Sequence, residues 1–70
     1  MRYAIVYFGH PDGKIVRGSA TLEGAKATAN KAKGTGSCSC ARVYECDTLA
    51  LARTADISVI RNGERVVFEA

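Results

Sequence analysis

Apolar residues recur with a helical period in one segment, residues 21–34. At about 100° per residue its apolar side chains fall on one stripe: Leu22, Ala25, Ala29 and Ala32. Thr21 is a predicted N-cap, because its hydroxyl can accept from the free amides of the first turn. Gly34 is the predicted left-handed residue after the helix. A stripe made mainly of alanine predicts a helix that packs closely on a sheet.

The other apolar segments follow strand patterns. Residues 2–8 are apolar on both faces, which predicts a central strand. Pro11, Asp12 and Gly13 suit the last three positions of a type I turn, and residues 14–19 then predict a short returning strand. Residues 40–46 alternate and predict a third strand. These patterns indicate antiparallel strands on either side of the helix.

The C-terminal part predicts a closing hairpin over residues 57–69. Asn62-Gly63 is a type I′ turn signal, and the turn would place Arg61 opposite Glu64. Residues 47–56 fit a strand or a short helix, and helix propensity favours about two helical turns. The order ββαβ(α)ββ predicts an α+β fold, a four- to five-stranded antiparallel sheet with one main helix on one face. Residues 1–70 are expected to form a single domain.

Strand parity divides the side chains between the two faces of this sheet. Ala41 and Val43 suit the alanine stripe, so the opposite face is predicted to carry the other set: Tyr3, Ile5, Tyr7, Cys40, Arg42, Tyr44, Ile60, Arg65 and Val67. Tyrosine and arginine over an apolar floor are typical of interface centres. The candidate interface residues are therefore Tyr3, Tyr7, Arg42 and Tyr44. Alternatively, residues 49–55 or the loops cover this face.

Composition leaves little material for a core. The chain has 70 residues, and 47% are hydrophobic, but eleven of these are alanine. A core this small favours a homodimer or a permanent partner. The net charge of +3 permits acidic proteins or nucleic acids as partners. The opening Met-Arg-Tyr shows no signal-peptide pattern, and no apolar run is long enough to span a membrane. Three cysteines cannot form a closed disulfide set, so we expect the reducing cytoplasm of a host cell.

Two kinds of chemistry are not favoured. Cys38, Cys40 and Cys46 have the spacing C-x-C-x5-C, and His10 would be a fourth ligand. The last two cysteines would lie about 20 Å apart on one strand, too far for one ion. We therefore expect no metal and no cofactor, and the cysteines' redox role stays open. No carboxylate pair or nucleophile–histidine motif converges, so we predict a non-enzyme without catalytic residues.

Positive charge outweighs negative charge in the predicted helix. Lys26, Lys31 and Lys33 stand there against the single acidic residue Glu23. Cations near a helix C-terminus also interact favourably with the helix dipole. The three lysines are the candidate partner-binding residues. The alternative interpretation is an ordinary solvated helix surface.

Three segments resemble proteins of a known kind: Ser-Ala-Thr-Leu-Glu-Gly-Ala-Lys-Ala from residue 19, Ala-Arg-Val-Tyr-Glu from residue 41, and Arg-Asn-Gly-Glu-Arg-Val from residue 61. They look like very small phage-encoded proteins, among them type I-F anti-CRISPR proteins with a T-L-x-x-A-K helix start. The resemblance implies a five-stranded sheet with a closing hairpin. It also implies that helix lysines, here Lys26 and Lys31, contact the crRNA-bearing surveillance complex. Residues 47–56 depart from that pattern.

Three functions are consistent with these observations. The first is a non-catalytic phage-type binding protein that inhibits a host CRISPR-Cas surveillance complex by occupying its protein or ribonucleoprotein surface. The second is a small basic nucleic-acid-binding module, with lysines on phosphates and Tyr7 and Tyr44 stacked on bases. The third is a homodimerising structural protein. Salt dependence separates the first two, because nucleic-acid binding weakens with a log–log slope of about −0.9 per phosphate neutralised.

Overall fold

The computed structural model describes residues 2–13, 15–49, 52 and 65–70. In chain order its elements are β1 (Arg2–Phe8), β2 (Ile15–Ser19), α1 (Leu22–Gly34), β3 (Cys40–Cys46) and β4 (Val66–Glu69). The strands form one sheet in the order β2-β1-β3-β4, and every neighbouring pair is antiparallel. Because α1 packs on one face of this sheet, the predicted α+β fold is confirmed.

The turn between β1 and β2 forms as the sequence predicts. The Gly13 amide donates to the His10 carbonyl at 3.0 Å, which places Pro11 and Asp12 at the two central positions. The Asp12 amide also donates to the imidazole Nδ1 of His10 at 3.0 Å. This turn therefore fixes His10 at the end of the hairpin.

The alanine stripe of α1 forms the main contact with the sheet. Ala25, Ala29 and Ala32 are buried, as predicted, and belong to one core with Ile5 and Val43 of the sheet. The hydroxyl of Thr21 accepts from the Gly24 amide at 3.1 Å, which confirms the predicted N-cap. Because alanine side chains are short, the helix backbone lies close to β1 and β3.

The end of α1 differs from the prediction. Gly34 is the last helical residue, and the left-handed residue is Gly36, with φ of 75°. The Ser37 amide donates to the carbonyl of Ala32, and the Gly36 amide donates to that of Lys33. These two bonds are a Schellman motif with Gly36 at C′. The assignment of Gly34 was wrong because a glycine can also occupy a last helical turn, and Thr35 still precedes the left-handed residue.

The predicted division of the sheet faces was wrong for β1. The β1–β3 register pairs Ile5 with Val43 and Tyr7 with Ala41. Directly paired residues share a face, so Tyr3, Ile5 and Tyr7 lie on the helix side of the sheet. Parity within one strand gives two alternating sets of side chains. Only the pairing with a neighbouring strand decides which set faces the helix.

A register shift in β4 corrects a second position. Phe68 pairs with Val43, but Val66 pairs with Tyr44, so β4 contains one extra residue at this point. The bulge turns Val67 towards the helix-side core, and not towards the opposite face as predicted. An alternating pattern gives no sign of such an insertion, because it assumes an uninterrupted ladder.

The opposite face of the sheet has its own small core. Ala4, Val6, Tyr44 and Cys46 are buried there together with Ala52. The Ala52 amide donates to the Thr48 carbonyl at 3.0 Å, the spacing of a helical hydrogen bond. Residues after β3 thus help to cover this face, as the alternative interpretation proposed. Most of the segment 50–64, including the predicted Asn62-Gly63 turn, lies outside the described residues.

The contact between α1 and the sheet predicts a strong size limit at Ala29, which is fully buried. Ala29→Leu should reduce the free energy of unfolding by about 1–3 kcal/mol through overpacking. Ala27→Leu is the matched control, because Ala27 is exposed on the same helix. It should change stability by less than about 0.5 kcal/mol. Chemical denaturation measures both values, and equal effects would contradict the assigned packing.

The helix end predicts opposite effects at two nearby glycines. Gly36→Ala should destabilise the protein by about 1–2 kcal/mol, because an L-residue is strained at a left-handed φ. Gly34→Ala should stabilise it by about 0.5–1 kcal/mol, since Gly34 is helical and a Cβ there meets open space. Thermal melts of both variants measure these changes in stability. Destabilisation at Gly34 alone would restore the original C′ assignment.

Candidate functional site

The three candidate lysines have different surroundings in the structure. Lys31 and Lys33 are exposed in the last turn of α1, and neither forms an ion pair with any other described residue. Lys26 is partly buried, and its ammonium lies 5.5 Å from the ring centroid of Phe68. A cation over an aromatic face is stabilised by the ring quadrupole. Lys26 therefore has a packing role, whereas Lys31 and Lys33 are available to a partner.

The lysines also lie on different flanks of α1. Lys26 and Lys31 are five residues apart, or about 140° around a helix. Lys26 contacts Phe68 of β4, whereas Lys31 lies beside Tyr7 of β1, and these strands are on either side of β3. Lys33 is seven residues from Lys26 and shares its flank. The structure thus divides the predicted lysine group into a β1 side and a β4 side.

Between these flanks, α1 presents a flat surface to solvent. Ala27, Asn30 and Gly34 are exposed, small and uncharged. Together with Lys31 and Lys33 we call them the outer face of α1. Glu23 lies on the same face in the first turn, four residues before Ala27. Further along the helix the side chains between the lysines are small, so a partner can approach the backbone there while the lysines contact acidic groups.

A groove of about 350 Å³ lies between α1 and β1. It is lined by six residues, four of which carry hydroxyl groups: Tyr7, Thr28, Lys31, Ala32, Thr35 and Ser37. We call it the β1–α1 groove. The sequence reasoning missed its threonines and serine. A signal was present, since Thr28, Lys31 and Thr35 have the i, i+3, i+7 spacing of one helix flank.

The four candidate interface residues of the sheet do not form one surface. Tyr3 and Tyr7 pack beside the helix-side core, whereas Arg42 and Tyr44 lie on the opposite face. Tyr44 is only 3% exposed, so it is mainly a core residue. The shared Tyr/Arg face assumed from parity is therefore absent from the described part of the sheet.

Arg42 belongs to a cluster of polar and aromatic contacts on the opposite face. Its Nε donates to Glu69 Oε1 at 3.2 Å, and its guanidinium carbon lies 5.0 Å from the ring centroid of Phe8. Hydrogen bonding with Tyr44, followed by the charge of Glu69, raises the pKa of Arg42. The cluster connects β1, β3 and β4. The side chain of Arg42 therefore already has contacts within the protein.

The three cysteines have separate locations. Cys38 lies in the helix-side core and Cys46 in the core of the opposite face. The thiol of Cys40 donates to Glu69 Oε2 at 3.5 Å. Partial burial, and then the hydrogen bond to Glu69, raise the pKa of Cys40. Among the described residues, no three His, Cys, Asp or Glu side chains are grouped in a way that could hold a metal ion.

Comparison with known proteins adds no family assignment. No protein-family model matches the chain, and no curated protein or solved structure shows significant similarity to it. In the described part of the structure, no helix is both long and apolar enough to cross a membrane. The function of this protein is therefore inferred from the surfaces described above.

The Cys40 environment predicts opposite effects of its two charged neighbours. The Glu69 carboxylate raises the pKa of Cys40 and Arg42 lowers it. Because the thiolate is the reactive form, Glu69→Gln should accelerate alkylation of Cys40 at mildly alkaline pH, and Arg42→Gln should slow it. Peptide mass spectrometry separates Cys40 from the two buried cysteines. An unchanged rate in both variants would contradict the proposed environment.

Proposed function

We propose that this protein is a non-catalytic, phage-type binding protein that inhibits a host CRISPR-Cas surveillance complex by occupying its surface. The observation that carries the proposal is the outer face of α1. There, Lys31 and Lys33 are exposed and have no ion pair within the described residues. Cations without an internal partner lose little when they are transferred to an acidic or phosphate-rich surface.

The rigidity of the helix supports this role. The buried alanines fix α1 on the sheet, so its lysines project from a defined backbone. Preorganisation reduces the entropy lost on binding. A net charge of +3 also accelerates encounter with a partner of negative potential. A complex that carries RNA or binds DNA offers such a potential. The resemblance implies contacts from Lys26 and Lys31, but the packing of Lys26 on Phe68 favours Lys31 and Lys33 in this chain.

A nucleic-acid-binding module is the second candidate, and the β1–α1 groove favours it, since Lys31 and Tyr7 line that groove together. In this case free nucleic acid would be the ligand. Its binding would weaken with a log–log salt slope of about −0.7 to −0.9 per phosphate. Nuclease treatment would abolish the co-purification of host components with this protein from a lysate. A protein or ribonucleoprotein surface should retain the protein at moderate salt.

The test is inhibition of DNA binding by a purified type I-F surveillance complex, measured by gel shift. Lys31→Glu combined with Lys33→Glu should weaken inhibition at least about tenfold. Lys26 stays unchanged in this variant because its ammonium packs over Phe68. Size-exclusion chromatography and thermal melts should show an intact fold.

The matched control combines Arg17→Glu with Arg65→Glu. It changes the net charge by the same amount on exposed side chains outside α1. Because Arg65 pairs with Glu45 at 3.5 Å, the same folding checks apply to the control. The control should retain inhibition if position matters and not only total charge. Equal losses in the two double variants would remove the special role of the outer face. Absence of inhibition by the unmodified protein would overturn the proposed target.

A further inference from the structure

The two threonine hydroxyl groups that line the β1–α1 groove already donate hydrogen bonds to helix carbonyls. Thr28 Oγ1 donates to the Gly24 carbonyl at 3.0 Å, and Thr35 Oγ1 donates to the Lys31 carbonyl at 3.0 Å. A hydroxyl group has one proton and two acceptor lone pairs. These two threonines therefore retain only acceptor capacity towards a bound molecule.

The serine of the groove follows the same logic. Ser37 Oγ and Thr35 Oγ1 are 2.9 Å apart. When the Thr35 proton is on the Lys31 or the Ala32 carbonyl, Ser37 is the donor in this contact. In that arrangement, three of the hydroxyl groups lining the groove accept from a ligand but do not donate to it. Donors remain at the Lys31 ammonium and the Tyr7 hydroxyl.

This distribution of hydrogen-bond donors and acceptors limits which anionic ligands the groove can bind. A free phosphate or carboxylate would satisfy Lys31 but would meet acceptor oxygens elsewhere in the groove. The negative end of the α1 dipole disfavours any anionic group there, so the anion must be held by Lys31 itself. A suitable ligand needs an anionic group for Lys31 and hydroxyl donors for the threonine and serine oxygens. A ribose-phosphate unit has both, because its 2′-hydroxyl can donate. Deoxyribose lacks that hydroxyl.

The surroundings favour RNA over an acidic peptide, which also combines anions with amide donors. Tyr7 contributes an aromatic ring to the lining, and its centroid lies 6.5 Å from that of His10. Aromatic side chains of this kind stack on unpaired bases. The volume of about 350 Å³ is at the small end of ligand pockets, which suits a nucleotide unit and excludes a duplex.

We propose that the β1–α1 groove binds single-stranded RNA. Lys31 contacts a phosphate, the threonine and serine oxygens accept from a 2′-hydroxyl, and Tyr7 faces a base. The inference rests on the proposed function: the groove that would bind free nucleic acid in the second candidate here contacts the RNA of the host complex. It goes further in assigning the contact to the β1 flank and in predicting discrimination against DNA.

Fluorescence anisotropy with a labelled short oligouridylate and its deoxyribose counterpart tests the proposal. The unmodified protein should bind the RNA at least about fivefold more tightly than the DNA. Lys31→Gln should weaken RNA binding about tenfold, whereas Lys33→Gln should weaken it no more than about threefold. The two variants remove the same charge from the same helical turn, and only Lys31 lines the groove. Thr28→Val, which keeps the branched shape, should lower the preference for RNA.

Several results would overturn the proposal. Equal binding of RNA and DNA, or equal losses for the two lysine variants, would indicate a non-specific charge effect. Binding of a labelled glutamate-rich peptide in place of RNA, lost on Lys31→Gln, would assign the groove to an acidic protein segment. Inhibition of the surveillance complex without RNA binding would reject this inference and leave the proposed function standing. RNA binding without inhibition would reject the proposed function and leave RNA binding by the groove standing. Far-UV circular dichroism confirms folding of each variant.

Discussion

The contact between the alanines of α1 and the centre of the sheet is the interaction on which the rest of the structure depends. Ala25 and Ala29 are fully buried and share a core with Ile5 and Val43. Their short side chains bring the helix backbone close to β1 and β3. That distance fixes where the flanks of α1 lie, so it also positions the lysines and the β1–α1 groove. A larger side chain at this contact would move all of these features together.

The end of α1 connects stability with the candidate site. The Schellman bonds and the Thr35 hydroxyl satisfy the carbonyl groups of Lys31, Ala32 and Lys33. The Thr35 hydroxyl, which also lines the groove, uses its proton in this way. A local solution to the open carbonyls of a helix end thereby determines which partners the groove can accept. Capping and recognition cannot be varied independently here.

Both faces of the sheet carry buried residues, so the sheet is not simply buried on one side and exposed on the other. The helix side carries the larger core, but Tyr44 and Cys46 are also buried on the opposite side with Ala52. Arg42 and Glu69 further link β3 to β4 on that face. For a chain of 70 residues, covering both faces increases the apolar area removed from water. It also leaves α1 as the main exposed element with uncompensated charge in the described structure.

The sequence by itself determined the elements: the β1 and β3 strands, the His10–Gly13 turn, the Thr21 cap and the alanine stripe. These features depend on local propensity and on periodicity, which neighbouring residues express directly. It also indicated Lys31 and Lys33, but not that Lys26 packs on Phe68 or that Lys31 lies on the flank opposite Lys26. The tertiary structure decided the register that turns Tyr3 and Tyr7 towards the helix, the bulge at Val67 and the groove beside Lys31. Those depend on which strands pair and at what offset, and one residue of slip reverses a face without changing any local pattern.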